Sequence, residues 1–167
     1  MNKRILVVYA TKAGSTVEVA AVIGEVLSGR GYEVEVKSIK ENPPVDGYQA
    51  VIVGSAIRMG NWLPEAVEFV KKNQACLSQM PTAFFTCHRL NTGDDATSRQ
   101  AREAYTAPVR QILTPQAEVF FSGELDHAKL NFVDRTLAKA VEKSTNTTEG
   151  DARDWNKIRG WAQTIFA

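Results

Sequence analysis

The distribution of apolar and polar residues predicts a chain of alternating strands and helices. Four short runs are rich in Val, Ile, Phe and Tyr and lack a polar residue at every second position, which is typical of strands covered on both faces. These runs are Ile5–Tyr9, Ala50–Val53, Thr82–Thr86 and Ala117–Phe121. A fifth segment, Tyr32–Ile39, alternates polar and apolar residues. We expect it to form a strand with one wetter side or a strand at the sheet edge.

Apolar residues at helical spacing mark the segments that follow the strands. We predict helices over Thr16–Ser28, from Pro64 to just before Asn73, over Ser98–Leu113, from Leu130 to Val141 and from Trp155 to Ile165. Pro108 should kink or shorten the third helix, because proline lacks the N–H of a helical residue. Strands that alternate with helices imply right-handed crossovers. We therefore expect a doubly wound α/β fold, with a five-stranded parallel sheet, helices on both faces and a single domain over residues 1–167.

Composition narrows the class of function. The 20 Lys and Arg residues nearly balance the 19 Asp and Glu residues, for a net charge of +1, which argues against a general nucleic-acid binder. The N-terminal apolar run of about six residues is too short for a signal-peptide core or a membrane span, so we expect a cytoplasmic protein. Cys76 and Cys87 show neither CxxC nor metal-ligand spacing. They are expected to be reduced structural thiols, without a metal site.

The loop after the first strand has the composition of an anion site. A glycine lets the backbone approach an anion, and the N–H groups at a helix start point toward it. The candidate residues are Thr11, Lys12, Ala13, Gly14, Ser15 and Thr16. Neither GxGxxG nor GxxxxGK[ST] occurs in the chain, so a terminal phosphate monoester fits better than a dinucleotide or a nucleoside triphosphate. The alternative is that Ser15 or Thr16 only caps the helix.

Two further loops leave the same predicted edge of the sheet. The first could line a flat aromatic ligand and comprises Ser55, Ala56, Ile57, Arg58, Met59, Gly60, Asn61 and Trp62. The second could meet polar atoms of that ligand, through Thr86, Cys87, His88, Arg89 and Gly93. Each has a plain structural alternative. Met59 and Trp62 could form a hydrophobic staple at the start of the next helix. Cys87 could be a packing thiol, and His88 could be a surface or capping histidine.

Together the three loops resemble the flavodoxin superfamily, over essentially the whole chain. Residues 11–16 are similar to its phosphate loop of the type [TS]-x-T-x-x-T, with Gly14 and Thr16 in register. Ala13 replaces the usual threonine, and Lys12 can supply a point charge instead. Within the superfamily, residues 54–60, 68–72, 80–85, 154–155 and 161–162 are similar in order and spacing to the menaquinone-dependent protoporphyrinogen IX dehydrogenases.

The resemblance implies a flavodoxin-like sheet of order 2-1-3-4-5 and noncovalently bound FMN. The phosphate would lie at residues 11–16 and the isoalloxazine ring between residues 55–62 and 86–93. Arg58 would favour an electron-rich reduced ring, and the carbonyl of Met59 or Gly60 could meet a protonated ring nitrogen, N5. The implied activity is oxidation of a porphyrinogen-like donor, with a quinone or a redox protein as electron acceptor.

Two other functions remain open for this fold. A flavodoxin-type electron carrier would have no small-molecule substrate. Such carriers are typically strongly acidic, and the net charge of +1 argues against this reading. A response-regulator-like module would need an acidic pair where Thr11 and Lys12 stand, and an aspartate where Ser55 and Ala56 stand.

The segment Leu125–Lys143 could make a peripheral membrane contact, or could be an amphipathic helix that covers the sheet.

Overall fold

The architecture is seen in a computed structural model, which describes residues 3–11, 15–58, 60–88, 95–122, 124–125, 150–151 and 154–166. The strands are β1 (Arg4–Ala10), β2 (Glu33–Ser38), β3 (Ala50–Arg58), β4 (Asn61–Trp62), β5 (Thr82–His88), β6 (Ala117–Ser122), β7 (Glu124–Leu125) and β8 (Gly150–Asp151). The helices are α1 (Ser15–Gly29), α2 (Pro64–Lys72), α3 (Gln74–Leu77), α4 (Ala96–Ile112) and α5 (Trp155–Thr164), with a 3-10 turn over Ile39–Glu41.

The main sheet has the predicted parallel order. Its strands run β2-β1-β3-β5-β6, and every neighbouring pair on this path is parallel. The order 2-1-3-4-5 is therefore confirmed for the five predicted strands, since the short β4 lies off this path and only shifts the numbering. β4 pairs antiparallel with the end of β3, and β7 pairs antiparallel with β8.

The core consists of two apolar layers, one on each face of the sheet. The first layer packs under α1 and α5 and includes Ile5, Val7, Ile52, Phe85, Val19, Ile23 and Ile158. The second packs under α2 and α4 and includes Leu6, Val8, Val53, Phe84, Leu63, Phe69 and Val109. Because successive strand residues point to opposite faces, β1, β3 and β5 need apolar residues at both parities. β2 lies at the edge of the sheet, as predicted; none of its residues is fully buried, and Val36 is exposed.

A glycine in β3 permits close packing between two central strands. Gly54 lies opposite Phe85 of β5. A Cβ atom at residue 54 would lie 1.9 Å from Cζ of the Phe85 ring. No atom can approach another so closely without repulsion, so the ring occupies the space that a side chain at residue 54 would need.

Two predicted elements differ in extent or form from the sequence prediction, and the short elements α3, β4, β7 and β8 are not predicted at all. β3 continues past Val53 to Arg58, where we expect a loop, because residues 54–56 pair with β5 and the last two residues pair with β4. α4 runs through Pro108 to Ile112, so the predicted shortening is wrong. Proline removes only one N–H donor, and burial of Tyr105 and Val109 on either side of it holds the helix against the sheet. The predicted helix from Leu130 to Val141 lies outside the described residues, as does all of Leu125–Lys143 except Leu125.

Among the helices in the described part of the chain, none is both long enough and apolar enough to cross a membrane.

Candidate functional site

The candidate site lies at the carboxyl edge of the three central strands. Ala10 of β1 is in register with Ser55 of β3, and Ser55 is in register with Thr86 of β5. The three loops singled out in the sequence thus leave neighbouring strands at the same level. The chain passes from β1 outward to β2 and returns to β3, so the strand order reverses between β1 and β3. In open α/β sheets, ligands bind at such a reversal.

The start of α1 contains a buried hydroxyl that lacks a partner. Thr16 lies in the first turn of α1 and its side chain is fully buried. Its Oγ1 atom makes no hydrogen bond within the described part of the chain. Thr16 therefore does not cap the helix; the side chain of Ser15, the other capping candidate, lies outside the described residues. An unsatisfied buried hydroxyl costs about 1–3 kcal/mol, so this atom is suited to a ligand that brings a hydrogen-bond acceptor.

Other predicted phosphate-loop residues are only partly described. Thr11 is half-buried directly after β1. Lys12, Ala13 and Gly14 lie outside the described residues, and Ser15 is described only by its backbone as the first residue of α1. The free N–H groups and positive dipole end of a helix favour an anion at its start. Thr16 is thus the described side chain at which a phosphate can be tested.

The second predicted loop is a β-hairpin that continues beyond the parallel sheet. Ile57 pairs with Trp62, and Arg58 pairs with Asn61. Gly60 in the turn has φ 79°, a left-handed conformation that L side chains rarely adopt. A Cβ atom at Gly60 would have no neighbour within 4 Å. The turn is therefore open on its outer side; Met59, which precedes Gly60, lies outside the described residues.

The hairpin offers an accessible rim and a buried anchor. Arg58, Gly60 and Asn61 are exposed, whereas Ala56 and Ile57 are half-buried. Trp62, which we expect to contact a ligand ring, is instead 2% exposed and packs edge-on against Phe84, with ring centroids 5.0 Å apart. The reason is its pairing with Ile57, because directly paired residues share a face. The odd-numbered residues of this part of β3 face α2 and α4.

Two buried hydroxyls hold the return arm of the hairpin. Trp62 Nε1 donates to Thr86 Oγ1 at 2.8 Å. The Leu63 backbone N–H donates to Ser55 Oγ at 3.0 Å, and Ser55 Oγ donates to the Ala56 carbonyl at 2.8 Å. Both Ser55 and Thr86 are fully buried. Their hydroxyls therefore form hydrogen bonds within the protein. These bonds are not the polar ligand contacts that the sequence suggests for Ser55 and Thr86.

The end of β5 also turns its side chains inward. Cys87 is buried in the layer under α1 and α5, in agreement with the packing alternative. His88 is 5% exposed and lies between Tyr105 and Phe120, with ring centroids at 5.7 and 6.1 Å. The alternative of a surface histidine is therefore wrong. Arg89 and Gly93 lie outside the described residues.

A carboxylate begins the helix that follows this loop. Asp95 precedes α4 and accepts hydrogen bonds from the Ser98 hydroxyl at 2.8 Å and from the Ser98 N–H at 3.0 Å. These bonds, that of the hydroxyl first, lower the pKa of Asp95 below its ordinary value. Across the described ranges, no three His, Cys, Asp or Glu side chains are arranged to hold a metal ion.

Comparison with known proteins identifies the family. The flavodoxin domain model matches residues 6–151 of the chain. The chain belongs to the flavodoxin domain family. It is 25% identical to the Escherichia coli (strain K12) protein named protoporphyrinogen IX dehydrogenase [quinone], over 97% of this chain and 94% of that protein. It is 27% identical to the Leishmania major protein of the same name, over 99% of this chain and 76% of that protein.

The solved structures agree with this family at the level of the fold. Oxidised flavodoxin 1 from Bacillus cereus superposes with a TM-score of 0.53 at 15% identity, over 87% of this chain and 100% of that chain. The parallel sheet with helices on both faces is therefore flavodoxin-like.

In this flavodoxin domain the candidate residues form two groups, an accessible rim and a buried support. The rim consists of Thr11, Ala56, Ile57, Arg58, Gly60 and Asn61. The support beneath it consists of Ser55, Trp62, Thr86, Cys87 and His88. The sequence analysis included packing alternatives for Trp62 and Cys87, but it missed the supporting roles of Ser55 and Thr86. The available signal was a pair of hydroxyl residues, Ser55 and Thr86, in otherwise apolar strands.

Proposed function

We propose that the protein binds FMN and acts as an FMN-dependent oxidoreductase. The observation that carries the proposal is the buried, unpartnered hydroxyl of Thr16 at the start of α1. A phosphate monoester supplies the acceptor that this hydroxyl lacks, and its charge suits the helix start. Membership in the flavodoxin domain family supports the choice of FMN. When bound, FMN supplies two-electron redox chemistry at its isoalloxazine ring.

The residues have separate tasks in this proposal. Thr11, Lys12, Ala13, Gly14, Ser15 and Thr16 bind the phosphate. One flank of the ring is contacted by Ala56, Ile57, Arg58, Met59, Gly60 and Asn61, and the loop that follows β5 supplies the other flank. Because the side chains of Ser55, Trp62 and Thr86 are buried, we assign them to support of the hairpin. Arg58 is exposed at the rim and provides positive charge near the ring.

For the reaction, we propose dehydrogenation of a protoporphyrinogen-like donor with reduction of a quinone to a quinol. Support comes from two relatives, named protoporphyrinogen IX dehydrogenase [quinone], that align with 97% and 99% of the chain. Each turnover transfers two hydrogen atoms from the donor to one quinone, which becomes a quinol, so every step balances without a further oxidant.

The cofactor assignment is tested by comparing FMN with riboflavin, which lacks the phosphate. We expect the wild type to bind FMN at least about ten-fold more tightly than riboflavin. Thr16→Val should weaken FMN binding about ten-fold and leave riboflavin binding unchanged. If Thr16→Val weakened the binding of FMN and of riboflavin by the same factor, a phosphate contact would be contradicted.

Stability of the flavin-free protein gives an independent control. Thr16→Val replaces an unpaired hydroxyl by a methyl group of the same shape, so the free energy of unfolding should stay constant or rise. Thr82→Val provides the contrast, because the Thr82 hydroxyl donates to the Leu77 carbonyl at 3.0 Å. We expect this second substitution to lower stability by about 1 kcal/mol.

The reaction is tested anaerobically with protoporphyrinogen IX and a menaquinone analogue. We expect the donor to bleach the visible absorption of the flavin-loaded protein and the quinone to restore it over many cycles. Binding of FMN without any such turnover would favour the electron-carrier function.

A further inference from the structure

The hairpin beside the proposed ring site has little backbone support of its own. Beyond the row in which Ala56 pairs with Cys87, the described ladder of β3 continues only with β4. That ladder consists of two residue pairs. A two-stranded ribbon of this size is at best marginally stable in water, so the position of its rim depends on other contacts.

Two of those contacts come from side chains beneath the hairpin. The Trp62 indole is buried against Phe84, and its Nε1 donates to Thr86 Oγ1 at 2.8 Å. Thr86 belongs to β5, the strand that leads into the other proposed flank of the ring. One buried hydrogen bond therefore joins the return arm of one flank to the strand that carries the second flank.

We infer that Thr86 is a positioning residue, which sets the spacing between the two flanks of the flavin-ring site through its hydrogen bond to Trp62. The inference rests on the proposed function. The hydroxyl is needed because a buried indole N–H without an acceptor is costly. If the acceptor is removed, the indole N–H can recover a hydrogen bond only by moving toward water. Its pairing with Ile57 carries that movement to the rim, including Arg58.

The test is Thr86→Val, with Thr82→Val as the matched control. Both threonines lie on β5, on the same face and fully or nearly fully buried, and both use their hydroxyls. Thr82 lies at the start of β5 and therefore at the opposite edge of the sheet. We expect Thr86→Val to weaken FMN and riboflavin binding by the same factor, about ten-fold, because only the ring contact changes. Thr82→Val should change both affinities less than about two-fold, and Thr86→Ser should restore wild-type binding.

Amide hydrogen exchange provides a readout that does not depend on flavin. In the flavin-free protein, peptides that cover residues 57–62 should exchange about ten-fold faster in Thr86→Val than in Thr82→Val. Peptides within β1 should exchange equally in both variants. If Thr86→Val does not fold, Trp62→Phe removes the donor instead and should produce the same faster exchange.

The outcomes separate the two proposals. If Thr86→Val matches Thr82→Val in hairpin exchange, the positioning role is overturned, whether or not flavin binds. If the wild type binds neither FMN nor riboflavin, the proposed function fails. Faster exchange in Thr86→Val would then still support the role of Thr86 in holding the hairpin.

Discussion

At Gly54, the lack of a side chain determines how closely β3 and β5 pack. Because a Cβ atom there would lie 1.9 Å from Phe85 Cζ, Gly54→Ala should lower the free energy of unfolding by about 2–4 kcal/mol. Urea unfolding measures this loss. Gly29→Ala is the control, since a Cβ atom at the end of α1 meets nothing within 4 Å. Recovery of stability in the double variant Gly54→Ala/Phe85→Leu would identify the ring as the cause, and a fully stable Gly54→Ala would contradict the clash.

In the proposed complex with FMN, Arg58 is expected to tune the flavin by its charge. Loss of a positive charge near the ring disfavours the electron-rich reduced form, so Arg58→Gln should lower the two-electron potential of bound FMN. Because Arg58 is exposed at the rim, screening limits the shift to the order of 20 mV. Spectroelectrochemistry measures the potential. Lys71→Gln removes an exposed charge from the last turn of α2 and should not shift it. Equal potentials in wild type and Arg58→Gln would exclude the electrostatic role.

At the scale of elements, three side chains link β1, β2 and the loop before β3. Arg4 Nη2 donates to Glu35 Oε1 at 2.8 Å, and the Tyr48 hydroxyl donates to Glu35 Oε2 at 2.7 Å. The Tyr48 bond first, and then the Arg4 bond, lower the pKa of Glu35 below its ordinary 4.5. A carboxyl group whose pKa is lowered by folding stabilises the protein above its unfolded pKa. That stabilisation is lost as the pH falls through the folded pKa.

Tyr48→Phe removes the larger cause of this shift. We expect its urea midpoint to lie below that of wild type at pH 7, with the difference becoming smaller below pH 4.5 as Glu35 takes up a proton. The difference should be small, because Glu35 and Arg4 are more than one-third exposed. Tyr32→Phe, also the loss of a hydroxyl beside β2, is the control and should show no such dependence on pH. A pH-independent difference for Tyr48→Phe would contradict the linkage to Glu35.

At the scale of the whole molecule, both apolar layers share the same central strands. Since β1, β3 and β5 contribute to each layer, we expect residues 1–167 to unfold as one cooperative unit. Trp62 reports on the layer under α2 and α4, whereas Trp155 and Trp161 pack against the other layer. Fluorescence of Trp62→Phe and of Trp155→Phe/Trp161→Phe therefore observes the layers separately. Each fluorescence transition should coincide with the far-ultraviolet circular dichroism of the same variant; separate transitions would indicate two units.

From the amino-acid sequence we could predict the parallel sheet, the helices α1, α2, α4 and α5, and the sheet edge at which the candidate site lies. Apolar runs without alternation identify central parallel strands because both faces of those strands are covered, as the burial of β1, β3 and β5 confirms. Helices after β1, β3 and β5 favour right-handed crossovers between parallel strands, which bring the loops that follow these strands to one edge. These features depend on local periodicity and on chain order, which a single sequence contains.

The division of the candidate residues into rim and support depends on contacts that appear only in the folded protein. In the sequence alone, the position of Trp62 and Ser55 after a central strand predicts that they contact a ligand. The indole is buried because Thr86 and Phe84, more than twenty positions along the chain, supply its hydrogen bond and its packing surface. Pro108 likewise predicts a kinked or shortened helix, whereas in the structure α4 continues through it and Val109 is buried. The physical reason is the same in each case, because contacts between distant segments outweigh local preference and are not encoded in any short pattern.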